Sequence, residues 1–338
     1  MWHLPSLYCV IKGTKKMGEI NKLVIVGNGF DIAHGLPTKY YDFMRYLLTY
    51  EQKPKIYMDN YIFLDSISQH DQAKHRFYEA ICKYIPEQEL WHGFEEALGI
   101  LDVEQLKEDN ACFLLGYGDE DWRDSAHHDF QYMIKEALSF ASDIPHYLKE
   151  WIKTIDTSNV APNKALNFFN SDCLFLTFNY TDTIKAVYHI PEKRILYIHG
   201  NALCEDDLIS GHHDKTLFKE EPIPQFESDD EMETYYSEDI RVQEGKKIIK
   251  EYFRETYKNT SSIIRKNQDF FYSLKTINEI IILGHSLSQI DLDYFLEIRK
   301  FVLPTCHWHI SYHNNNDFGN ANNFAKTLKL RNFHLFYF

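Results

Sequence analysis

The chain has 338 residues, of which 44% are hydrophobic and 15% aromatic, and a formal net charge of −14. That length buries a large core and accommodates one large domain or a domain with a substantial insertion. The acidic balance, with no stripe of clustered Lys and Arg, argues against extended nucleic-acid binding, which needs basic side chains to displace counterions from phosphates.

No apolar run reaches the ~20 residues of a membrane-spanning helix. The six cysteines are scattered without a Cys-x-x-Cys pair, so neither a zinc ribbon nor a redox motif is indicated and a reducing, cytoplasmic setting is expected.

In chain order, residues 1–16 read as an N-terminal extension. Their short apolar stretch at 7–11 lacks a small-residue cleavage site and makes a poor signal peptide, and Met17 offers a second start just before the first strand. The β-branched run 23–26 then ends in Gly27-Asn28-Gly29-Phe30-Asp31, followed by His34-Gly35-Leu36-Pro37-Thr38. A buried strand feeding a tight glycine turn ahead of a helix exposes backbone N–H groups suited to phosphate oxygens. From about 41 to 169 strand signals give way to helical patterns, which predicts a helical insertion. The longest pattern, 126–155, carries an apolar stripe with Pro145 inside it, where a kink is expected.

Strand-length runs return at 173–177, 195–198, 280–283, 307–312 and 333–337. An irregular insertion at about 215–278 interrupts them; it holds an acidic patch at 227–233 and an amphipathic helical pattern at 246–257. Further helical patterns at 290–302 and 320–330 separate the last strands. Runs apolar on both faces, alternating with helices, predict an α/β fold: a doubly wound, mainly parallel, Rossmann-like sheet within one domain over 17–338.

Such a sheet places its ligands beyond the carboxyl ends of its strands. Gly27, Asn28, Gly29 and Asp31 follow the first strand, Asn179, Tyr180 and Asp182 the second. His199, Gly200 and Asn201 follow the third, and Gly284, His285 and Ser286 the fourth, with Asp291 close behind. Each has a plain structural role open to it: a tight turn at the glycines, a cap from Asn179 for a helix opening at Tyr180, a satisfied core histidine at His199. Their coincidence at successive strand ends points to one site. His212-His213-Asp214 match no zinc spacing, and His307 and His309 share one strand face, as packing would require. No metal is expected.

The chain resembles the AbiH family of bacterial phage-abortive-infection proteins. The likeness rests on Gly27-Asn28-Gly29-Phe30-Asp31 with His34 to Thr38 and Tyr41-Asp42-Phe43, on Trp91-His92-Gly93-Phe94-Glu95-Glu96, and on Phe178-Asn179-Tyr180-Thr181-Asp182-Thr183. Ile198-His199-Gly200 and Gly284-His285-Ser286-Leu287-Ser288 with Asp291 and Asp293-Tyr294-Phe295 complete it. The same order of motifs is more distantly similar to sirtuin-like NAD-binding domains, some of which hydrolyse NAD in bacterial defence.

That likeness implies that Gly27 and Gly29 hold a pyrophosphate, that Asn179 sits at the nicotinamide ribose, that His199 is the acid/base residue, and that Gly284 and Ser286 line the adenosine side. Asn28, Phe30, Asp31, Pro37, Thr38, Tyr180, Asp182, Gly200 and His285 complete the candidate binding set. The paired-cysteine zinc module of deacetylating sirtuins is absent, so deacetylation is not expected. Phe178-Asn179-Tyr180-Thr181-Asp182 also departs from the sirtuin Gln-Asn-x-Asp pattern.

The residue types suit glycosidic cleavage. A carboxamide orients a hydroxyl or water without titrating, an imidazole takes a proton near neutral pH, and Asp31 or Glu95 could steady a sugar cation. The expected function is a phage-defence protein that binds a nucleotide, NAD, and hydrolyses its N-glycosidic bond. Its expected partners are that nucleotide and a phage or host trigger, without a membrane. A non-catalytic nucleotide sensor is the alternative, and a nuclease or RNA-targeting toxin stands behind it. Neither the trigger nor the oligomeric state is legible in the sequence.

Overall fold

A computed structural model describes residues 20–49, 57–58, 61–62, 68–166, 169, 173–220, 228 and 237–338. The N-terminal extension and the acidic patch at 227–233, apart from 228, lie outside the described residues.

Six strands form one sheet: β1 (Lys22–Val26), β2 (Cys173–Thr177), β3 (Ile195–Tyr197), β4 (Glu279–Leu283), β5 (His307–Tyr312) and β6 (Phe333–Tyr337). Every pairing is parallel, and the order across the sheet is β3-β2-β1-β4-β5-β6. This is the doubly wound arrangement, in which the chain starts at the centre, builds outward to one edge, then returns to build the other.

The sequence dictates this architecture through its faces. Successive strand residues point to opposite sides, and in β1 both sides are covered: Leu23, Val24, Ile25 and Val26 are all fully buried. Leu23 and Ile25 join Leu174, Leu176, Ile280, Ile282, Trp308 and Ile310 in a large core on one face. Helices Thr260–Lys266, Gln268–Ser273, Leu292–Phe301 and Asn315–Thr327 supply the other half of that core through Ile263, Phe271, Phe295 and Phe324. On the opposite face Val24, Val26, Phe175 and Leu283 pack with Phe30 and Ile184. Each such buried side chain contributes about 1.5–3 kcal/mol relative to exposure.

Two compact units divide the chain. The first, Met1–Lys39 with Leu148–Ile209 and Asn259–Phe338, holds the sheet; the second comprises Tyr40–Tyr147 and Ser210–Lys258. The part of the helical block expected over 41–169 that begins at Leu148 falls in the first unit. Within the irregular insertion expected at about 215–278, helices Thr260–Lys266 and Gln268–Ser273 contribute apolar residues to the core beneath the sheet.

In the second unit, side chains cap the helices where the sequence offers Ser and Asp. Ser68 accepts from Asp71 N–H, Asp102 from Gln105 N–H, and Asp239 from Arg241 N–H. Glu95 and Lys258 form a buried ion pair at 3.0 Å. The pattern at 126–155 is broken rather than kinked: helix Asp129–Ala137 gives way to a 3-10 turn at Ser139–Asp143, and Pro145 falls in the first turn of Ile144–Lys153. Proline is tolerated there because its missing N–H would have no helical partner.

Candidate functional site

A parallel sheet directs all its carboxyl ends to one edge, and the polar residues after β1 to β4 gather there. The glycine turn after β1 is a clasp. Gly27 N–H donates to Leu283 O at 3.0 Å, Gly29 N–H to Gly284 O at 2.7 Å, and Phe30 N–H to Gly27 O at 2.9 Å. These three amides, which the sequence offers to a phosphate, are thus already taken by main-chain carbonyls. The glycines are required by close approach: a Cβ on Gly27 would lie 2.6 Å from His285 Cα. Gly284 adopts φ +59° and donates its N–H to Ser311 Oγ at 2.8 Å.

Phe30 turns its ring into the core, within 6.2 Å of Phe169 and 6.0 Å of Tyr188. His34 closes the same turn, with Nδ1 2.7 Å from Phe30 O and Nε2 2.6 Å from the Tyr188 hydroxyl. Asn28 ties the turn to the following loop, its Nδ2 donating to Thr38 O at 2.7 Å. Pro37 and Ser286 are exposed, and Thr38 is buried.

One polar cluster joins the ends of β1 and β2. Asp31 is fully buried and its Oδ2 accepts from Thr181 Oγ1 at 2.6 Å, while Thr183 Oγ1 donates to Thr181 Oγ1 at 3.1 Å. Burial pushes the Asp31 carboxyl above the ordinary carboxylate range, against the opposing pull of hydrogen bonds from Thr181, Thr183 and Asn179. Asn179 is 7% exposed, and its Oδ1, like Asp31 Oδ1, is buried and accepts no hydrogen bond from the described residues. Asn179 caps no helix at Tyr180, since the helix there is Thr183–Tyr188 with Asp182 at its N-cap. Burial also raises the half-buried Asp182 carboxyl, with Lys185 pulling the other way.

A second cluster joins the loops after β3 and β4. His199 Nε2 lies 3.7 Å from Asp291 Oδ1, and His285 Nε2 lies 3.6 Å from Asp291 Oδ2. Phe178 centres the aromatic wall around them, its ring 5.2 Å from His199, 4.3 Å from His285 and 5.5 Å from Tyr294. Gly200 follows at φ +89°, pressed against Asp207 O. The Tyr180 hydroxyl donates to Ile209 O at 2.8 Å. Thus Phe178 faces the histidines while Asn179, one residue on, contacts Asp31.

Three features here were not assigned from sequence: Asp291 between two histidines, the Thr181 and Thr183 support of Asp31, and the Phe178 wall. All lie within the quoted motifs, so their positions were visible while their contacts were not. Glu95, a candidate for steadying a cation, is paired with Lys258 in the helical unit. His212 is a core histidine there, bonded through Nε2 to Phe253 O at 2.8 Å and through Nδ1 to Asp214 N–H at 3.2 Å. Among the described residues no group of three His, Cys, Asp or Glu side chains is placed to hold a metal, and no helix is long and apolar enough to cross a membrane. A groove of about 450 Å³ lined by Glu279, His307 and His309 lies at the amino ends of β4 and β5, the opposite edge from Asn179 and His199.

Fold and site together define a doubly wound α/β protein with buried polar clusters at the carboxyl ends of its central strands. The chain belongs to the AbiH family: the family model described as bacteriophage abortive infection AbiH matches residues 23–312. That family's role is phage abortive infection, a form of antiviral defence. No curated protein and no solved structure matches the chain.

Proposed function

We propose that the strand-end site binds NAD and hydrolyses its N-glycosidic bond, with Asn179 and His199 acting on the nicotinamide ribose. The observation that carries this reading is the placement of Asn179, His199 and the Gly27/Gly284 clasp at the carboxyl ends of adjacent parallel strands, where doubly wound sheets take nucleotides.

Asn179 Oδ1, buried and without an acceptor role among the described residues, fits a ribose hydroxyl as its donor. Asp31, held by Thr181, keeps the carboxamide in place from behind. In the reaction, water adds to the anomeric carbon as the bond to nicotinamide breaks, giving ADP-ribose, nicotinamide and one proton. Positive charge builds on the sugar in the transition state, and His199 takes the proton of the incoming water. The clasp's role in this reading is to fix the loops that carry these groups; the phosphates would be met elsewhere along the same edge.

The test is incubation of the purified protein with NAD, with and without phage-infected cell extract, following free nicotinamide. Wild type is expected to release it, and Asn179→Ala and His199→Ala to lose at least ~100-fold in rate. No release under any activating condition would overturn the hydrolase. The burial of Asn179 and His199 to 7% and 3% exposure favours one alternative, a nucleotide sensor without turnover. A thermal shift with NAD or ADP-ribose but no nicotinamide release would establish it.

A further inference from the structure

Residues 115–126 form a loop of the second, helical unit, and its two ends meet on one side chain. Arg241 Nη1 donates to Leu115 O at 2.8 Å and to Ala126 O at 3.2 Å. The rest of that guanidinium is held by Asp239, which accepts from Nη2 at 2.6 Å and from Nε at 3.0 Å and also caps helix Ile240–Glu255. Inside the loop, Gly116 N–H donates to Asp119 Oδ2 at 2.6 Å and Trp122 N–H to Asp119 O at 3.0 Å. A surface loop tied at its base and folded on its own groups holds its side chains in fixed positions, and loops of this kind frequently carry function.

What the loop displays is aromatic. Tyr117 is 78% exposed, more than any other large hydrophobic side chain among the described residues. Its ring lies 4.6 Å from that of the partly buried Trp122, at 31° between planes. His127 flanks both rings, 5.7 Å from Tyr117 and 5.8 Å from Trp122, and its Nε2 lies 3.2 Å from the Tyr117 hydroxyl. The three rings make one patch, and an exposed apolar patch on a fixed support marks an interaction site. Among the described residues no lysine or arginine stands over the Tyr117 or Trp122 ring; the cation–ring contacts of the protein lie elsewhere.

Charge decides what the patch fits. Asp119, Glu120, Asp121 and Asp124 bracket Trp122 in the chain and are all exposed. Glu120, Asp121 and Asp124 form no ion pair with the described residues, and Arg123, the only Lys or Arg within 115–126, is turned to Asp129 Oδ2 at 3.5 Å. The face of an aromatic ring attracts a cation. A guanidinium is planar, so it stacks on such a ring while its N–H groups reach carboxylates at the edge; a lysine ammonium matches only the charge. We propose that this loop is a docking surface for an arginine of a basic partner protein, with the guanidinium stacked on the Tyr117–Trp122 pair and donating to the carboxylates beside Trp122. The Arg241 tie keeps the loop in shape before the partner arrives, which lowers the ordering cost of binding. The proposal is independent of the strand-end site and of what that site binds.

The experiment uses the full-length protein and a fluorescent peptide of repeated Arg-Gly-Gly units, with a Lys-Gly-Gly peptide of equal charge as the comparison. Fluorescence anisotropy at ~0.15 M salt, where attraction between distant exposed charges is screened, reads both. Wild type is expected to bind the arginine peptide at least ~3-fold more tightly than the lysine peptide. Tyr117→Ala is expected to weaken arginine-peptide binding by ~3-fold or more and to bring the two peptides level. Glu120→Gln with Asp121→Asn is expected to weaken the binding of both peptides. Thermal melting confirms that the variants are folded.

Equal binding of the two peptides by wild type, or binding of neither, overturns the proposal, and that comparison needs no variant to fold. So does arginine-peptide binding that Tyr117→Ala leaves unchanged, because attraction to the net charge alone would then account for it. Sedimentation of wild type and Tyr117→Ala tests the other occupant: a self-associated wild type that Tyr117→Ala dissociates places a second copy of this chain on the patch, and the partner proposal fails.

Discussion

Gly29 and Gly284 touch backbone to backbone: a Cβ on Gly29 would come within 2.8 Å of Gly284 Cα, and one on Gly284 would strike Phe30 N and the Gly29 carbonyl carbon. The loops after β1 and β4 leave neighbouring strands at the point where the strand order reverses, which is where doubly wound folds open their ligand crevice. Here two glycines let the loops close on each other instead, and the polar residues of β2, β3 and the Asp291 turn are gathered around the closure.

Gly284→Ala should therefore be strongly destabilising, by about 2 kcal/mol or more, because a left-handed φ and a steric clash act together. Gly35 provides the contrast. It also has positive φ, +76°, but nothing lies within 4 Å of where its Cβ would be, so Gly35→Ala should cost only about 1–2 kcal/mol, from conformation alone. Urea unfolding of the two variants compares them, and equal losses would contradict the clasp.

Asp31→Asn should stabilise the protein near neutral pH. The folded-state carboxyl is raised by burial, so the folded protein holds its proton more tightly than the unfolded chain. Stability is then highest at low pH with respect to this group. It falls as pH rises past the unfolded value of 3.8 toward the raised folded value. The asparagine keeps an acceptor for Thr181 and removes the titration. The difference in melting temperature, variant minus wild type, should become more positive between pH 4 and pH 7; a flat difference would mean that Asp31 ionises freely in the folded protein.

The Glu95–Lys258 pair offers a test inside the helical unit. Lys258 is completely buried and its Nζ lies 3.0 Å from Glu95 Oε2. Lys258→Met leaves a buried carboxylate without its cation and should cost about 3–5 kcal/mol, whereas Lys258→Met with Glu95→Leu should recover most of that loss. Chemical denaturation of the single and double variants measures the coupling.

Ligand binding separates the Tyr188 anchor from the Asn179 site. Tyr188→Phe removes the hydroxyl that meets His34 Nε2 at 2.6 Å and accepts from Asn163 N–H at 2.9 Å. It should cost about 1–3 kcal/mol while leaving the NAD-induced thermal shift in place. Asn179→Ala should abolish that shift. Differential scanning fluorimetry with NAD reads both, and loss of the shift in Tyr188→Phe alone would relocate the site.

Much of this protein was legible in one dimension. The runs 173–177, 307–312 and 333–337 are strands with those same bounds, and β1, β3 and β4 differ from the apolar runs by one residue at one end. A short continuous apolar run such as Leu23 to Val26, rich in β-branched residues and ended by a glycine turn, reads as a strand covered on both faces, so a parallel sheet was legible in the sequence. Positions of the polar strand ends followed too, because a parallel sheet turns the residue after each strand toward the same edge.

What only the tertiary structure decided is what those residues touch. Strand order is set by which apolar faces find cover, and nothing local to Gly29 announces that its neighbour will be Gly284, 255 positions later in the chain. For the same reason the turn read as an open phosphate cradle while its Gly27, Gly29 and Phe30 amides are bonded to carbonyls. Asp291 is another such case: it follows β4 in sequence, yet the packing of Leu292–Phe301 sets its oxygens toward His199 and His285. Periodicity and residue type report how a segment meets a generic interior; pairing between side chains hundreds of residues apart is fixed only when the sheet has assembled.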